Sequence, residues 1–180
     1  MQSIRSSVLC SFLTLVAAGV ALPVRADEAC LDFKWDVKKE RTLFAGTPVL
    51  LSAGKDAMSA PSVVPDRLYK LRFTPQDQVA FAISPAKKMA GATVLGGLAS
   101  LKLSAPGSYR IAVDLPVWVD VVSQHALLPA KDYQGQHECS APHKIVEFEL
   151  TGVEPYLLQF SGAAHDDLLV TITASPPRQL

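Results

Sequence analysis

The alternation of apolar and polar residues within residues 107–124 restricts the possible folds of this chain more than any other feature. Apolar side chains occupy every second position of residues 109–113 and again of residues 117–121, which is typical of half-buried β-strands. Pro116 interrupts the pattern between the two runs. We therefore predict two adjacent strands joined by a tight proline turn, a β-hairpin at the centre of an all-β core.

Comparable short runs recur along the chain and predict the remaining strands. We expect these strands within residues 31–37, 41–51, 68–73, 78–83, 98–104, 144–150, 156–160 and 168–174. No segment sustains a 3.6-residue apolar period. Only residues 84–97 allow a short helix, and their proline and glycines favour a loop instead. About nine or ten short strands without sustained helices indicate an antiparallel β-sandwich or jelly roll.

Residues 1–26 have the composition of a secretory signal peptide. Arg5 supplies a positive start, residues 8–22 form an uncharged apolar run, and Val24-Arg25-Ala26 places small residues where signal peptidase cleaves. The alternative is a membrane anchor, but spanning a bilayer takes about 20 apolar residues and this run is shorter. We expect cleavage, no membrane span in the mature protein, and a single domain over residues 27–180 with residues 175–180 as a tail.

The charge of the predicted mature chain gives no reason to expect nucleic acid as a partner. The sequence contains 17 basic and 17 acidic residues, and the predicted signal peptide holds Arg5 and Arg25 but no acid. The mature chain therefore has a small excess of acids. Binding to nucleic acid or to an anionic membrane surface usually requires a basic excess, which is absent here.

The cysteines agree with export. Of the three in the sequence, Cys10 lies in the predicted signal peptide, so Cys30 and Cys139 remain after cleavage. Two cysteines in an oxidising compartment usually pair, which predicts a disulfide between the mature N-terminus and the last third of the chain. The alternative, a free thiol that acts as a metal ligand, stays open.

Several short motifs spread over most of the mature chain form a recognisable set. They are GL at 97–98, APGSYR at 105–110, VWVDVV at 117–122, Cys139 followed by HKIVEF at 143–148, and LQFSGA at 158–163. As a set they resemble a family of small exported proteobacterial proteins, largely uncharacterised. The closing strands are also loosely similar to the β-sandwich modules at the C-termini of secreted peptidases. The resemblance implies a periplasmic β-sandwich without an established activity.

Proteins of this family are sometimes named ring-cleaving dioxygenases, and the residues allow a test of that chemistry. A cupin-type dioxygenase binds iron through a compact His-x-His motif and a downstream glutamate. The nearest match in this sequence is His137-Glu138-Cys139, in which Cys139 stands at the position of the second histidine. The sequence therefore disfavours iron-dependent ring cleavage.

The same loop offers copper or zinc as an alternative cofactor. His137 and His143 are the candidate ligands, with His125 or Glu138 as a further one, because imidazole and carboxylate bind these metals well. No standard ligand spacing is matched, however. Exposed loop histidines beside a structural disulfide are the simpler interpretation, and they require no cofactor.

Aromatic and acidic residues near the predicted hairpin are candidates for a binding surface. Trp118 and Asp120 share the face opposite the valines, and Tyr133 follows in the next connection. Asp114 and Asp120 could act as general bases if buried, although carboxylates in turns or on the solvent face are the simpler interpretation.

The sequence contains no Gly-x-Ser-x-Gly motif and no phosphate-binding loop. It therefore favours a non-catalytic module that binds a protein or a component of the cell envelope, with a metal-binding protein as the alternative.

Overall fold

The computed structural model describes residues 30, 32–87, 94–139, 141–153 and 155–176, and it shows a sandwich of two β-sheets. In chain order the elements are α1 (Lys38–Phe44), β1 (Val49–Ser52), β2 (Ser62–Val63), β3 (Leu68–Arg72), β4 (Thr74–Pro75), a 3-10 turn (Gln76–Gln78), β5 (Leu95–Leu101), β6 (Gly107–Val113), β7 (Trp118–Ser123), β8 (Ala126–Leu127), β9 (Asp132–Gly135), β10 (Lys144–Leu150), β11 (Tyr156–Ala163) and β12 (Asp167–Ala174).

The strands form two layers. Sheet A has the order β1-β3-β12-β6-β10-β9, and sheet B has the order β2-β5-β11-β7-β8 with β4 also paired to β5. The predicted all-β sandwich is confirmed, but the sheets are mixed, because β1 pairs with β3 and β2 with β5 in parallel. The predicted signal peptide (residues 1–26), residues 88–93 of the ambiguous segment and residues 177–180 of the predicted tail lie outside the described residues.

The inner faces of the two sheets enclose the main hydrophobic core. The alternation seen in the sequence decides which side chains enter it: Ile111 on β6, Val121 on β7 and Phe160 on β11 have no exposed surface. Full burial of such a side chain stabilises the fold by roughly 1.5–3 kcal/mol.

The predicted hairpin within residues 107–124 is wrong, although both of its strands exist. β6 lies in sheet A between β10 and β12, whereas β7 lies in sheet B beside β11. Both edges of β6 are occupied by those partners, so β7 has to pair elsewhere, and the chain crosses between the sheets through residues 114–117. Period-two alternation identifies a strand and its buried face, but it carries no information about the neighbouring strand.

The N-terminal part of the chain also differs from the prediction. Residues 32–37 form no strand, and α1 occupies the first half of the strand predicted in residues 41–51, of which only β1 remains. A helix of two turns is too short for its 3.6-residue period to be visible in a sequence. α1 packs against β12 on the outer face of sheet A, and this tertiary contact stabilises it.

A buried ionic cluster holds this segment on sheet A. Arg110 is 6% exposed, and its guanidinium lies 3.4 Å from Glu147 and 3.8 Å from Glu40. It also donates a hydrogen bond of 3.2 Å to the carbonyl oxygen of Asp36, and it lies 5.0 Å from the ring centroid of Trp35. Both carboxylates are therefore buried beside a cation, and Glu147 also lies 3.5 Å from the more exposed Lys131 Nζ.

A second hydrophobic cluster lies beneath the same segment and includes the two cysteines. Its buried members are Cys30, Phe33, Val37, Ala112, Cys139 and Ile145. The sulfur atoms of Cys30 and Cys139 are 2.04 Å apart, so the predicted pair is at disulfide-bonding distance. The N-terminal segment is thus connected to the loop that precedes β10.

The strand predicted in residues 78–83 as the partner of β3 is not formed either. β3 pairs with β1 and β12, and the backbone of Ile83 is held by a side chain on the outer face of sheet B. The buried amide of Gln159 accepts a hydrogen bond from the Ile83 N–H (3.2 Å) and donates one to its carbonyl oxygen (3.0 Å). A glutamine therefore satisfies backbone groups that a strand would otherwise satisfy.

Candidate functional site

A cavity opens on the side of the sandwich where β7 and β8 of sheet B face β9 and β10 of sheet A. In the described part of the chain, β8 pairs with Val122 and Ser123 at the end of β7 and does not cover the first half of that strand. The cavity measures about 550 Å³, within the range of about 300–1,000 Å³ usual for small-molecule sites. We call it the Trp118 cavity.

The walls of the Trp118 cavity are mainly apolar. The large apolar side chains are Val119, Leu127, Leu128, Pro129, Val146 and Phe148, and the polar or aromatic ones are Lys87, Trp118, Asp120, Tyr133 and Lys144.

The strand registers explain how these residues come together. Lys144, Val146 and Phe148 occupy alternate positions of β10, so they share the face of sheet A that looks towards sheet B. Tyr133 lies opposite Val146 in the β9–β10 pairing and therefore stands on the same face.

Asp120 fixes the orientation of the indole. It is 7% exposed, and its carboxylate accepts hydrogen bonds from Trp118 Nε1 (2.9 Å) and from the Ala86 N–H (3.1 Å). Each of its two oxygens has a donor, which is how a buried carboxylate is stabilised. Asp120 therefore positions Trp118 and the segment that contains Ala86.

Two lysines flank Trp118. Lys144 Nζ lies 4.9 Å from the ring centroid of Trp118 and donates a hydrogen bond of 3.0 Å to the Val117 carbonyl oxygen, and Lys87 Nζ lies 5.6 Å from the same centroid. Burial and, next, the charge of Lys87 lower the pKa of Lys144, and Asp120 opposes this. Among the described residues, the charged side chains that line the cavity are thus two lysines and one aspartate.

The structure brings together the three residues proposed from the sequence as a binding surface, because Trp118, Asp120 and Tyr133 all line the cavity. Tyr133 is 68% exposed at its mouth. Sequence reasoning missed both lysines and the apolar wall. The sequence could have predicted Lys144, because it alternates with Val146 and Phe148 and therefore lies on the inward face of β10.

Of the candidate metal ligands, the structure brings only His137 and His143 together. Their ring centroids are 5.5 Å apart in a T-shaped contact. Burial, followed by the charges of His137 and Lys144, lowers the pKa of His143. Glu138 is exposed, and His125 lies in the two-residue turn between β7 and β8. In the described part of the chain, no three His, Cys, Asp or Glu side chains converge on a metal position.

Asp114, a candidate base from the sequence, has a structural partner. Its carboxylate accepts a hydrogen bond of 2.9 Å from the Leu169 N–H, and its own N–H donates to the Leu169 carbonyl oxygen at 3.2 Å. Burial raises the pKa of Asp114, and the bond from Leu169 opposes the rise. These bonds connect the end of β6 to β12.

Comparison with protein-family models, curated proteins and solved structures finds no match for this chain. Among the residues that the structure describes, no helix combines the length and the apolar character needed to cross a membrane.

Proposed function

We propose that this chain is an exported, periplasmic β-sandwich protein that binds a protein or a component of the cell envelope through the Trp118 cavity and catalyses no reaction. One observation carries the proposal. An indole held by Asp120 and flanked by two lysines lines an apolar cavity beside the part of β7 that β8 does not pair with.

The composition of the cavity supports binding. Ligand sites are usually apolar clefts with a few convergent polar groups, and tryptophan and tyrosine dominate binding energy at interfaces. The hydrogen bonds of Asp120 support a role without catalysis, because both of its oxygens hold the structure together.

A photo-crosslinking experiment tests the proposal in the periplasm. The exposed Tyr133 is replaced by p-benzoylphenylalanine in the full-length chain, and crosslinked products are identified by mass spectrometry. We expect capture of a discrete partner that is lost when Trp118→Ala is added.

The matched control places the same photo-reactive residue at Leu50, which is 71% exposed on β1 at the opposite edge of sheet A. Equal capture at Leu50, or capture that survives Trp118→Ala, would show that the cavity is not the binding site. N-terminal sequencing of the same preparation tests export, with Asp27 as the expected first residue.

Metal binding is the second candidate, and the contact between His137 and His143 is the observation that favours it. Two imidazoles can supply two ligands to copper or zinc. Calorimetric titration with Zn²⁺ and Cu²⁺ tests this, with His137→Ala/His143→Ala as the variant and His165→Ala, an exposed histidine, as the control. Binding no tighter than millimolar, or binding that the double variant retains, removes this candidate.

A further inference from the structure

We infer that the Trp118 cavity takes a small amphipathic monoanion, namely a carboxylate attached to an aliphatic or aromatic body. This inference rests on the proposed function, since it names the ligand class of the same cavity.

The apolar body follows from the walls. Val119, Val146 and Phe148 come from two different sheets, and the β8–β9 connection adds Leu128 and Pro129, so apolar side chains surround the space on several sides. A ligand that fills the cavity therefore removes apolar surface of its own from water, which favours binding by about 25 cal/mol per Å².

The negative group follows from the hydrogen-bonding state of the charged side chains. Both oxygens of Asp120 already accept hydrogen bonds, so this carboxylate is engaged within the protein. Within the described part of the chain, Lys144 donates one of its three N–H groups, to Val117, which leaves two donors on Nζ. A carboxylate near Nζ also offsets the burial that lowers the pKa of Lys144.

The number of charges favours a monoanion. Lys87 and Lys144 against Asp120 give the described lining one net positive charge, which a carboxylate neutralises. A cationic ligand would meet two ammonium groups beside the ring of Trp118, where like charges repel. A neutral ligand would bury Lys144 further without supplying a partner for its charge.

Tryptophan fluorescence tests the inference directly. The chain has two tryptophans, so Trp35→Phe leaves Trp118 as the only reporter. The folded Trp35→Phe protein is titrated with octanoate, octan-1-ol and octylammonium, which share one aliphatic chain and differ in charge. We expect saturable binding of octanoate, with a Kd at least tenfold below that of either other probe.

Charge variants provide the second part of the test. Lys87→Met and Lys144→Met should each weaken octanoate binding several-fold. Lys102→Met, an exposed lysine outside the cavity, should leave it unchanged. Lys87 is exposed as well, so its variant tests the inference even if the Lys144 variant folds poorly.

The outcomes separate this inference from the proposed function. Equal affinity for octanoate and octan-1-ol, tighter binding of octylammonium, or no saturable response to any probe would each overturn the amphipathic monoanion. The crosslinking result at Tyr133 tests the proposed function independently, because a partner captured there does not have to be an amphipathic monoanion.

Discussion

The two tryptophans of this chain have similar neighbours but opposite surroundings. Trp35 lies 5.0 Å from the guanidinium of Arg110 and 4.8 Å from Lys34 Nζ, and Trp118 lies 4.9 Å and 5.6 Å from two lysine ammonium groups. Around Trp35, the N-terminal segment covers Arg110 on sheet A and leaves it only 6% exposed, and we call this the closed site. The site around Trp118 opens into a cavity between the edges of the two sheets.

The difference between the two sites lies in how their cations are compensated. Arg110 faces the buried carboxylates of Glu40 and Glu147, so the protein itself neutralises it. Among the described residues that line the cavity, Asp120 is the carboxylate beside the two lysines, and its oxygens bond Trp118 and Ala86 instead. A paired cation in a closed site stabilises structure, whereas cations left to an open cavity are available to a ligand.

The largest expected effect comes from breaking the closed site. Arg110→Met would leave the buried Glu40 without the cation it faces and would leave Glu147 with Lys131 alone, 3.5 Å away. Removing one partner of a buried ion pair typically costs about 3–5 kcal/mol. We expect urea unfolding to show a decrease of that size in the free energy of unfolding.

Arg72→Met is the matched control for this prediction. Arg72 pairs with Asp167 at 2.9 Å but is largely exposed, so its loss should change the free energy of unfolding far less than the loss of Arg110. Similar effects for the two arginine variants would contradict the contrast between compensated burial and surface pairing.

A second, somewhat smaller effect is expected from the cysteine pair on the closed side. Cys30 and Cys139 are 109 residues apart in sequence, and removal of a link of this kind typically costs about 2–4 kcal/mol. The variant Cys30→Ser/Cys139→Ser should lose that much stability in urea unfolding. Reduction of the wild-type protein should have the same effect, and reduction of the variant should have none.

This prediction can also distinguish the two tryptophan sites. Trp35 packs against the cluster that contains the cysteines. In a Trp118→Phe background, removal of the cysteine pair should therefore shift the emission of Trp35 to longer wavelength. Emission of Trp118 in a Trp35→Phe background should stay unchanged. A shift of equal size at both tryptophans would mean that the two sites are not independent.

The sequence could predict the layers of this fold but not their connections. Alternation correctly marked both β6 and β7, because burial on one face leaves a period of two in the sequence. The prediction that these two strands pair as a hairpin is wrong, because β6 pairs with β10 and β12. Partner choice depends on hydrogen bonds between strands distant in sequence.

The cavity was partly predictable for a related reason. Tryptophan, tyrosine and aspartate are common in binding sites, so the sequence alone marks Trp118, Asp120 and Tyr133 as candidates. All three line the cavity. By residue type Lys144 looks like an ordinary surface lysine, and only its alternation with Val146 and Phe148 indicates that it lies on the buried face of β10. The short β8, which leaves the cavity uncovered, has no clear sequence signal.

The smallest expected effect concerns Asp114, which lies where the chain crosses from β6 to β7. Its carboxylate accepts a hydrogen bond from a backbone N–H, whereas the carboxylates of the Arg110 cluster face a cation. The pKa of Asp114 is raised by burial, so the ionised form is the one that folding disfavours. Below the unfolded-state pKa of about 3.9 this cost is absent, and it grows as the pH rises through the folded-state pKa. Asp114→Asn should therefore be more stable than wild type at pH 7, with a difference that disappears near pH 3.

Asp167→Asn is the control with the opposite sign. The hydrogen bond from Arg72 lowers the pKa of Asp167, so ionisation of this carboxyl stabilises the fold above the unfolded-state pKa, and that stabilisation is lost as the pH falls. Urea unfolding measured between pH 3 and pH 7 should show that, as the pH rises, the free energy of unfolding of Asp167→Asn falls progressively below that of wild type, while that of Asp114→Asn rises above it. Parallel trends in the two variants would show that burial and pairing do not control these carboxyl groups as the structure indicates.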